Sequence, residues 1–239
     1  MIKSKKQTFE KEQLEFFNSL PDGNLNPPPL EYKTLSNFIK IQPKESLLEV
    51  GCGSGQHSLE LSKNFKNTIT CIEPSKRRTN QLKKVVKKNN IKNLKIQNCS
   101  IQEFNTNIKF DIIMIINVIH HTANRATTIR CLKKFLKPNG RIIMFENNSL
   151  NPFFILFFLF IGELKIHLTK NFLKSNRFYI KAEFLKENLY IIKMKRYGFL
   201  PTKEYSFGLS FNKLNSLLNK IPIIKELTAF YLYEIKNKK

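Results

Sequence analysis

Short apolar runs alternate with longer amphipathic segments from Leu47 onward. This alternation is typical of β-strands and α-helices that follow one another in a parallel sheet. The run Phe110–Ile116 is apolar on both faces, as expected of a strand covered on both sides. The pattern predicts strands at Leu47–Val50, 68–73, Leu94–Gln97, Phe110–Ile116 and 141–146, and helices at 56–65, 76–89 and 124–136. Five such strands in succession indicate a doubly wound α/β sheet.

The first part of the chain has a different pattern. A proline-rich break, Asn26-Pro27-Pro28-Pro29, is followed by apolar residues at helical spacing between positions 32 and 41. We therefore predict that residues 1–45 form an N-terminal helical cap and that residues 46–239 form the main domain.

The part of the chain that follows the fifth predicted strand is also distinct. After Pro152 comes a strongly apolar run, 153–161, and then a basic region with helical character. We predict a helical insertion over 147–199. Two further strands are predicted at 200–207 and 229–235, on either side of a segment at 211–218.

Composition limits the possible classes of protein. With 239 residues, 41% hydrophobic and 12% aromatic, the chain suits one folded α/β domain and not a disordered segment. The formal net charge of +23 points to nucleic acid, an anionic membrane or an anionic substrate. The lysines are spread along the chain without a dense basic block, however, so a solvated basic surface is favoured over a dedicated nucleic-acid face.

The cysteines give no sign of a metal or disulfide site. Cys52, Cys71, Cys99 and Cys131 form no CxxC pair and no Cys/His ligand spacing, so we expect no metal and a reducing, cytoplasmic environment. The N-terminus carries charges where a signal peptide needs its apolar core, and secretion is therefore not expected.

The strongest chemical signal is the glycine-rich segment Glu49-Val50-Gly51-Cys52-Gly53-Ser54-Gly55, which joins a predicted strand to a predicted helix. Glycine permits positive φ and lets the backbone approach a ligand closely, here at the carboxyl edge of the sheet. The dinucleotide fingerprint G-x-G-x-x-G is not met, because its third glycine would fall at Gln56. The carboxylate of Glu49 would repel a pyrophosphate but suit an ammonium group. Both departures favour S-adenosylmethionine over NAD.

This segment resembles the first motif of the class I S-adenosylmethionine-dependent methyltransferases, E/D-x-G-x-G-x-G, from Glu49 to Gly55. The resemblance covers about 46–146, including the turn and fifth strand of the segment that begins at Leu136. It implies a Rossmann-like, seven-stranded sheet with an antiparallel last strand, to which the two tail strands contribute. It also implies that Glu49, Gly51, Cys52, Gly53 and Gly55 bind the cofactor.

The end of the second predicted strand carries another candidate. Glu73 lies 18 positions after Gly55 and is followed directly by Pro74, which ends the strand. An acidic residue at this place accepts hydrogen bonds from ribose hydroxyls in nucleoside-binding enzymes. The resemblance implies that Pro74 and Ser75 line the same side of the ribose.

After the third strand the family often carries an acidic residue that binds the adenine amino group, but here Ser100 occupies the matching place. We expect either a hydroxyl or backbone contact to adenine from Ser100 and Ile101, or a plain loop without such a contact.

The segment from Phe110 to His121 resembles the fourth motif of the family. The resemblance puts Asn117 near the reacting sulfonium, ahead of the pair His120 and His121. A histidine with an unperturbed pKa of about 6.5 can take a proton from an acceptor hydroxyl. In similar sequences such histidines also only shape the pocket or start the next helix, and both interpretations stay open.

The resemblance therefore implies a methyltransferase whose acceptor pocket is built from 1–45 and 147–199. The aromatic-rich insertion is similar to that of small-molecule and glycolipid methyltransferases, so we expect a small or lipid-linked acceptor that is methylated on oxygen. Two alternatives stay open: an RNA methyltransferase, motivated by the net charge of +23, and a protein that binds S-adenosylmethionine without catalysis.

The apolar run 153–161 is too short to span a bilayer, which takes about 20 apolar residues as a helix. It can be a buried core helix, the wall of an apolar acceptor pocket or an interfacial segment. We hypothesise that it lines the acceptor pocket and, with the surrounding lysines, touches the inner surface of an anionic membrane peripherally.

Overall fold

The computed structural model describes residues 2–22, 25, 29–161, 170–199, 215, 217–218, 220–222 and 224–238. Two short 3₁₀ turns, Ile119–His121 and Ile224–Leu227, accompany the main elements. In chain order these are α1 (Ile2–Ser19), α2 (Pro29–Ile39), β1 (Leu47–Val50), α3 (Gln56–Ser62), β2 (Ile69–Ile72), α4 (Lys76–Lys88), β3 (Leu94–Gln97), β4 (Phe110–Ile116), α5 (Arg125–Phe135), β5 (Leu136–Asn147), α6 (Pro152–Ile161), α7 (Lys170–Leu173), α8 (Arg177–Lys186), β6 (Leu189–Tyr197) and β7 (Phe230–Asn237).

The strands form one seven-stranded sheet in the order β3-β2-β1-β4-β5-β7-β6. Strands β1 to β5 pair in parallel, whereas β7 is antiparallel to both of its neighbours. The order of the strands reverses between β1 and β4, which is where open α/β sheets bind ligands. The predicted doubly wound, Rossmann-like sheet with an antiparallel last strand is confirmed.

The register of the central strands brings their carboxyl ends together. Val50 at the end of β1 pairs with Ile72 on one side and with Ile115 on the other. The residues that follow these three strands therefore emerge beside one another at the same edge of the sheet, and this edge carries the candidate site.

Both faces of the sheet are covered by helices, as a doubly wound fold requires. On one face, α5 and α8 contribute buried residues such as Leu132 and Phe184. On the other face, α2, α3 and α4 contribute Leu35, Leu59 and Leu82. Strand β1, which lies between the two layers, is buried at every position.

One predicted boundary needs correction. Residues Leu189–Tyr197 were expected to belong to the insertion over 147–199, but they form β6 at the edge of the sheet. Charged residues such as Lys193 and Lys195 are exposed on this strand. An edge strand tolerates such charges, so the alternation of apolar and polar residues that would predict a strand is weak here. The strand predicted at 200–207 lies outside the described residues.

Strand β5 also begins earlier than expected, at Leu136 instead of Arg141. Leu136 pairs with Phe110 before an irregularity in the register, after which Arg141 pairs with Ile112. The segment that the sequence predicts as a turn before the strand is therefore part of β5.

Helix α6 contains the apolar run after Pro152. Phe153 contacts the ring of Phe199 at 5.7 Å between centroids, and Phe154 contacts that of Phe230 at 5.4 Å. Ile155 and Leu156 are instead 38% and 49% exposed. The first turn of α6 therefore packs on one side and is open on the other. Among the described residues, no helix combines the length and apolarity needed to cross a bilayer.

Candidate functional site

A cavity of about 780 Å³ lies at the carboxyl ends of β1, β2 and β4. Its size is within the usual range for small-molecule sites, roughly 300 to 1,000 Å³. Helix α1 covers part of the cavity with Lys11, Gln13, Leu14 and Phe17. The cavity thus combines residues of the sheet edge with residues of the predicted N-terminal cap.

The glycine-rich loop forms one side of the cavity, and its glycines have different roles. Gly51, Gly53 and Gly55 all have positive φ, at 69°, 55° and 84°. A Cβ on Gly51 would lie 2.6 Å from Val118, and one on Gly55 would lie 2.3 Å from Leu82, so these two glycines permit close packing within the protein. A Cβ on Gly53 would meet no atom within 4 Å, and Gly53 lines the cavity. Gly53 is therefore the position at which a ligand can approach the backbone.

Glu73 lies directly after β2, is 8% exposed and lines the cavity. Its Oε2 accepts a hydrogen bond from the amide of Gly53 at 3.0 Å, and its Oε1 accepts one from the amide of Ser75 at 2.8 Å. Burial raises the pKa of Glu73, and these two bonds together with the positive charge of Arg78 oppose that increase. A carboxylate has about four acceptor positions, so two remain for ligand hydroxyl groups.

Glu49 has a different position from the one predicted. It lies within β1, is 2% exposed and is not part of the cavity wall. Its carboxyl group accepts a hydrogen bond from the hydroxyl of Ser58 in α3. Burial, with a contribution from Cys71, raises the pKa of Glu49 to about 8. Burial therefore favours the protonated form of the Glu49 carboxyl group.

The loop after β3 supplies an acidic group that we did not predict. Ser100 and Glu103 both line the cavity, and Glu103 Oε2 accepts hydrogen bonds from the amide and the hydroxyl of Ser100, both at 2.8 Å. Ser100 Oγ in turn accepts one from the amide of Glu103 at 3.3 Å. These reciprocal bonds are those of a capping box, S-x-x-E, and this spacing could have identified Glu103 from the sequence.

Asn117 follows β4 and lines the cavity next to the glycine-rich loop. Its φ is 53°, a left-handed conformation that asparagine tolerates better than most residues. Its backbone amide donates a hydrogen bond to the carbonyl of Phe145 at 2.8 Å. Its Oδ1 is buried and has no hydrogen-bond partner among the described residues. A buried acceptor without a partner costs stability, so Asn117 is suited to a donor group on a ligand.

The two histidines differ in their surroundings. His121 lines the cavity, and its Nδ1 lies 2.8 Å from Oε1 of Gln13 in α1. His120 is 8% exposed and is not part of the cavity wall. Its Nδ1 is hydrogen-bonded to the carboxylate of Glu146, which is fully buried. The two imidazole rings lie 3.9 Å apart between centroids.

The structure thus separates the predicted site residues into two groups. Those on the cavity wall are Gly51, Gly53, Glu73, Pro74, Ser100, Ile101, Asn117 and His121. Those behind it are Glu49, Cys52, Gly55, Ser75 and His120. Residues of the second group hold the first in place: Ser75, for example, donates to Glu73 and accepts from the amide of Arg78 at the start of α4.

A doubly wound α/β sheet with a glycine-rich loop, a buried acidic residue at the next strand end and a cavity beside both is typical of nucleoside-binding proteins. A family model described as "Methyltransferase domain" matches residues 41–194. Because this match covers more than half of the chain, the chain belongs to that methyltransferase family. The predicted resemblance to the class I S-adenosylmethionine-dependent methyltransferases is confirmed.

The chain is similar to curated proteins named ubiquinone biosynthesis O-methyltransferase. It is 31% identical to that of Rickettsia akari over 123 residues, which are 50% of this chain and 48% of that protein. It is 26% identical to that of Rickettsia prowazekii over 213 residues, which are 82% of this chain and 83% of that protein. The first match therefore spans only about half the length of the relative.

Solved structures show the same fold. A geranyl diphosphate C-methyltransferase from Streptomyces coelicolor has a TM-score of 0.65 at 11% identity, over 96% of this chain and 98% of that one. A S-adenosylmethionine-dependent methyltransferase from Geobacter sulfurreducens, in complex with S-adenosylhomocysteine, has a TM-score of 0.64 at 14% identity, over 94% and 98%.

The residues on the cavity wall fit the cofactor of this family. The open space beside Gly53 can take a ligand against the backbone, and the two remaining acceptor positions of Glu73 can take hydroxyl groups. The buried Oδ1 of Asn117 can take a donor such as an ammonium group.

Proposed function

We propose that the protein transfers a methyl group from S-adenosylmethionine to an oxygen atom of a small or lipid-linked acceptor, with His121 as the general base. The observation that carries this proposal is the arrangement of one cavity, which has Glu73 and Gly53 on its wall as well as His121. Similarity to proteins named ubiquinone biosynthesis O-methyltransferase supports oxygen as the methylated atom.

In this proposal Glu73 holds the ribose hydroxyls, and Asn117 binds the methionine part beside the glycine-rich loop. Ser100, Ile101 and Glu103 lie on the cavity wall in the loop after the third strand, and we assign them to the adenine ring. The cofactor, when bound, supplies a methyl group that is already activated by the positive sulfur.

The protein must therefore align the acceptor and remove its hydroxyl proton. His121 is suited to this task because it lies on the cavity wall and its Nδ1 is already hydrogen-bonded to Gln13. With both ligands bound, the ring of His121 would take the hydroxyl proton while the acceptor oxygen bonds to the methyl group, whose bond to sulfur breaks to leave S-adenosylhomocysteine. His120, which is hydrogen-bonded to Glu146, packs against the ring of His121 on the side away from the cavity wall.

The proposal is tested in two steps with the purified protein. Calorimetry should give heat with S-adenosylmethionine and S-adenosylhomocysteine but not with NAD. Small hydroxyl compounds with and without a long alkyl chain are then incubated with labelled S-adenosylmethionine, and transfer to oxygen is followed by mass spectrometry. We expect transfer with the wild type and about 100-fold less with His121→Ala, in the range for the loss of a general base. Cofactor binding without transfer to any hydroxyl compound would contradict the proposed O-methylation.

We also propose that the face around α6 touches an anionic membrane peripherally. Leu150 and Leu156 are 39% and 49% exposed, and Leu173 and Phe178 are 51% and 61% exposed. The two segments that carry them are tied together, because the hydroxyl of Ser149 donates to the carbonyl of Leu173 at 2.8 Å. Apolar side chains combined with an excess of positive charge favour adsorption to anionic lipid. The described residues of α6 are not part of the cavity wall, so the hypothesis that they line the acceptor pocket has no support from the cavity.

Co-flotation with vesicles of anionic lipid tests this contact. We expect the wild type to float at low salt and Leu156→Asp and Phe178→Asp to float less. Ile108→Asp is the matched control, because Ile108 is 57% exposed but lies before β4, away from this face. The proposal fails if the wild type stays with the soluble fraction or if all three variants behave alike.

A further inference from the structure

Helix α1 supplies more than a cover for the cavity. Gln13 and Phe17 are four residues apart, so they lie on the same side of the helix, one turn from each other. Both contact His121: Oε1 of Gln13 lies 2.8 Å from Nδ1, and the ring of Phe17 meets the imidazole edge-on with 5.0 Å between centroids. Gln13 is 8% exposed, which is unusual for glutamine on a helix that covers the molecule from outside.

The contact with Gln13 determines which nitrogen of His121 carries the proton. An amide oxygen only accepts hydrogen bonds, so Nδ1 of His121 must donate, and the neutral ring then has its lone pair on Nε2. A neutral histidine in the other tautomer would have no lone pair on Nε2 to receive the acceptor proton. We infer that Gln13 is a positioning residue that holds His121 in the tautomer and orientation needed for a general base. This inference rests on the proposed role of His121.

The partner of His121 differs in charge from the partner of His120. His120 is bonded to the carboxylate of Glu146, whereas Gln13 carries no charge. A carboxylate stabilises the charged imidazolium form, but an amide orients the ring without favouring its protonation. Gln13 therefore orients the ring of His121 without placing a negative charge beside it.

The docking of α1 links this contact to the cofactor end of the cavity. Asn18 Oδ1 in α1 accepts a hydrogen bond from the hydroxyl of Ser75 at 2.7 Å, and the amide of Ser75 is bonded to Glu73. The same helix therefore lies against the end of β2 and orients His121.

The test uses Gln13→Leu, Gln13→Glu and the control Glu12→Gln, a conservative change at an exposed position of the same helix. We expect Gln13→Leu to lower kcat about tenfold, as is typical when a residue that orients a functional histidine is lost. Affinity for S-adenosylhomocysteine should stay within about twofold, because Gln13 acts on the ring of His121.

Gln13→Glu keeps the acceptor oxygen and should recover most of kcat, but its charge should move the acid limb of the kcat–pH profile upward by about one unit. Glu12→Gln should change none of these quantities.

A second readout does not depend on turnover. Nitrogen-15 shifts of the His121 ring should show the Nδ1–H tautomer in the wild type and a mixture of tautomers in Gln13→Leu. The inference is overturned if the ring of the wild type is protonated on Nε2, or if Gln13→Leu changes kcat by less than threefold. It is also overturned if both Gln13 variants lose kcat and cofactor affinity together, which would indicate a purely structural role. Absence of methyl transfer by the wild type, with the Nδ1–H tautomer intact, would instead contradict the proposed function.

Discussion

Strands β1 and β2 are neighbours, and each carries a buried carboxyl group near its end, yet only one of the two groups lies on the cavity wall. Glu49 is the third residue of β1 and pairs with Cys71, so its side chain points to a face of the sheet and meets Ser58 of α3. Glu73 follows the last residue of β2, so its side chain reaches the edge of the sheet and the cavity. A carboxyl group in a strand is covered by a helix, whereas one just beyond the strand is available to a ligand.

The largest difference between the two groups is expected in cofactor binding. Glu73→Ala removes the acceptor that we propose for the ribose hydroxyls and should weaken the binding of S-adenosylhomocysteine about 100-fold, or by about 2.7 kcal/mol. Glu49→Gln keeps an acceptor for Ser58 and should change the affinity by less than about threefold, because Glu49 does not reach the cavity. Titration calorimetry measures both, with circular dichroism to show that the variants are folded. A loss of affinity in Glu49→Gln as large as in Glu73→Ala would mean that Glu49 contacts the ligand.

In the glycine-rich loop, Gly55 packs against the protein interior, whereas Gly53 faces the space open to a ligand. Gly55→Ala should lower the free energy of unfolding by about 2 kcal/mol or more, because the new Cβ would overlap Leu82, which is fully buried. Gly53→Ala meets no neighbour and should cost only about 1 kcal/mol from its positive φ, but its methyl group would occupy the ligand's side of the loop. Urea denaturation and calorimetry should therefore separate a mainly structural glycine from a mainly binding one. If Gly53→Ala were the less stable variant, this assignment would be reversed.

Several residues that the sequence assigns to the cofactor, such as Gly53 and Glu73, lie together on the cavity wall because they belong to one strand–loop–helix–strand unit. Gly53 and Glu73 lie 20 positions apart and are joined by a hydrogen bond, so their spacing along the chain reflects their spacing in the fold. For Glu49 the sequence indicated the strand but not the direction of the side chain. Neighbouring positions of a strand point to opposite faces, and the exact strand end decides between a face and the edge.

The acceptor side could not be predicted in the same way. Gln13 contacts His121 across 108 positions of the chain, and no local pattern marks a glutamine that will pair with a distant histidine. Strand β6 was missed because its charged, exposed residues hide the alternation of an edge strand. Glu103 is the exception, since its capping-box spacing from Ser100 was present in the sequence.

A third expected effect concerns the pH dependence of stability, and it reports on Glu49 alone. The pKa of Glu49 is about 8 in the folded protein because of burial, whereas an exposed glutamate in the unfolded chain has a pKa of about 4.3. Between these two values the folded state keeps a proton that the unfolded state has released, so the contribution of Glu49 to the free energy of unfolding falls as the pH rises. It is fully present below the lower value and lost above the upper one, with a slope of at most about 1.4 kcal/mol per pH unit.

Glu49→Gln removes this titration while keeping an uncharged group beside Ser58, so its stability relative to the wild type should increase steadily between pH 5 and pH 8 and then level off. Urea denaturation at pH 5.5, 6.5, 7.5 and 8.5 gives the comparison as the difference in free energy of unfolding between the two proteins. Glu12→Gln, at an exposed position of α1, serves as the control and should follow the wild type at every pH. Parallel curves for Glu49→Gln and the wild type would show that Glu49 is ionised in the folded protein. The carboxyl group of β1 would then carry a charge at neutral pH after all, and its separation from the ligand-binding role of Glu73 would rest on geometry alone.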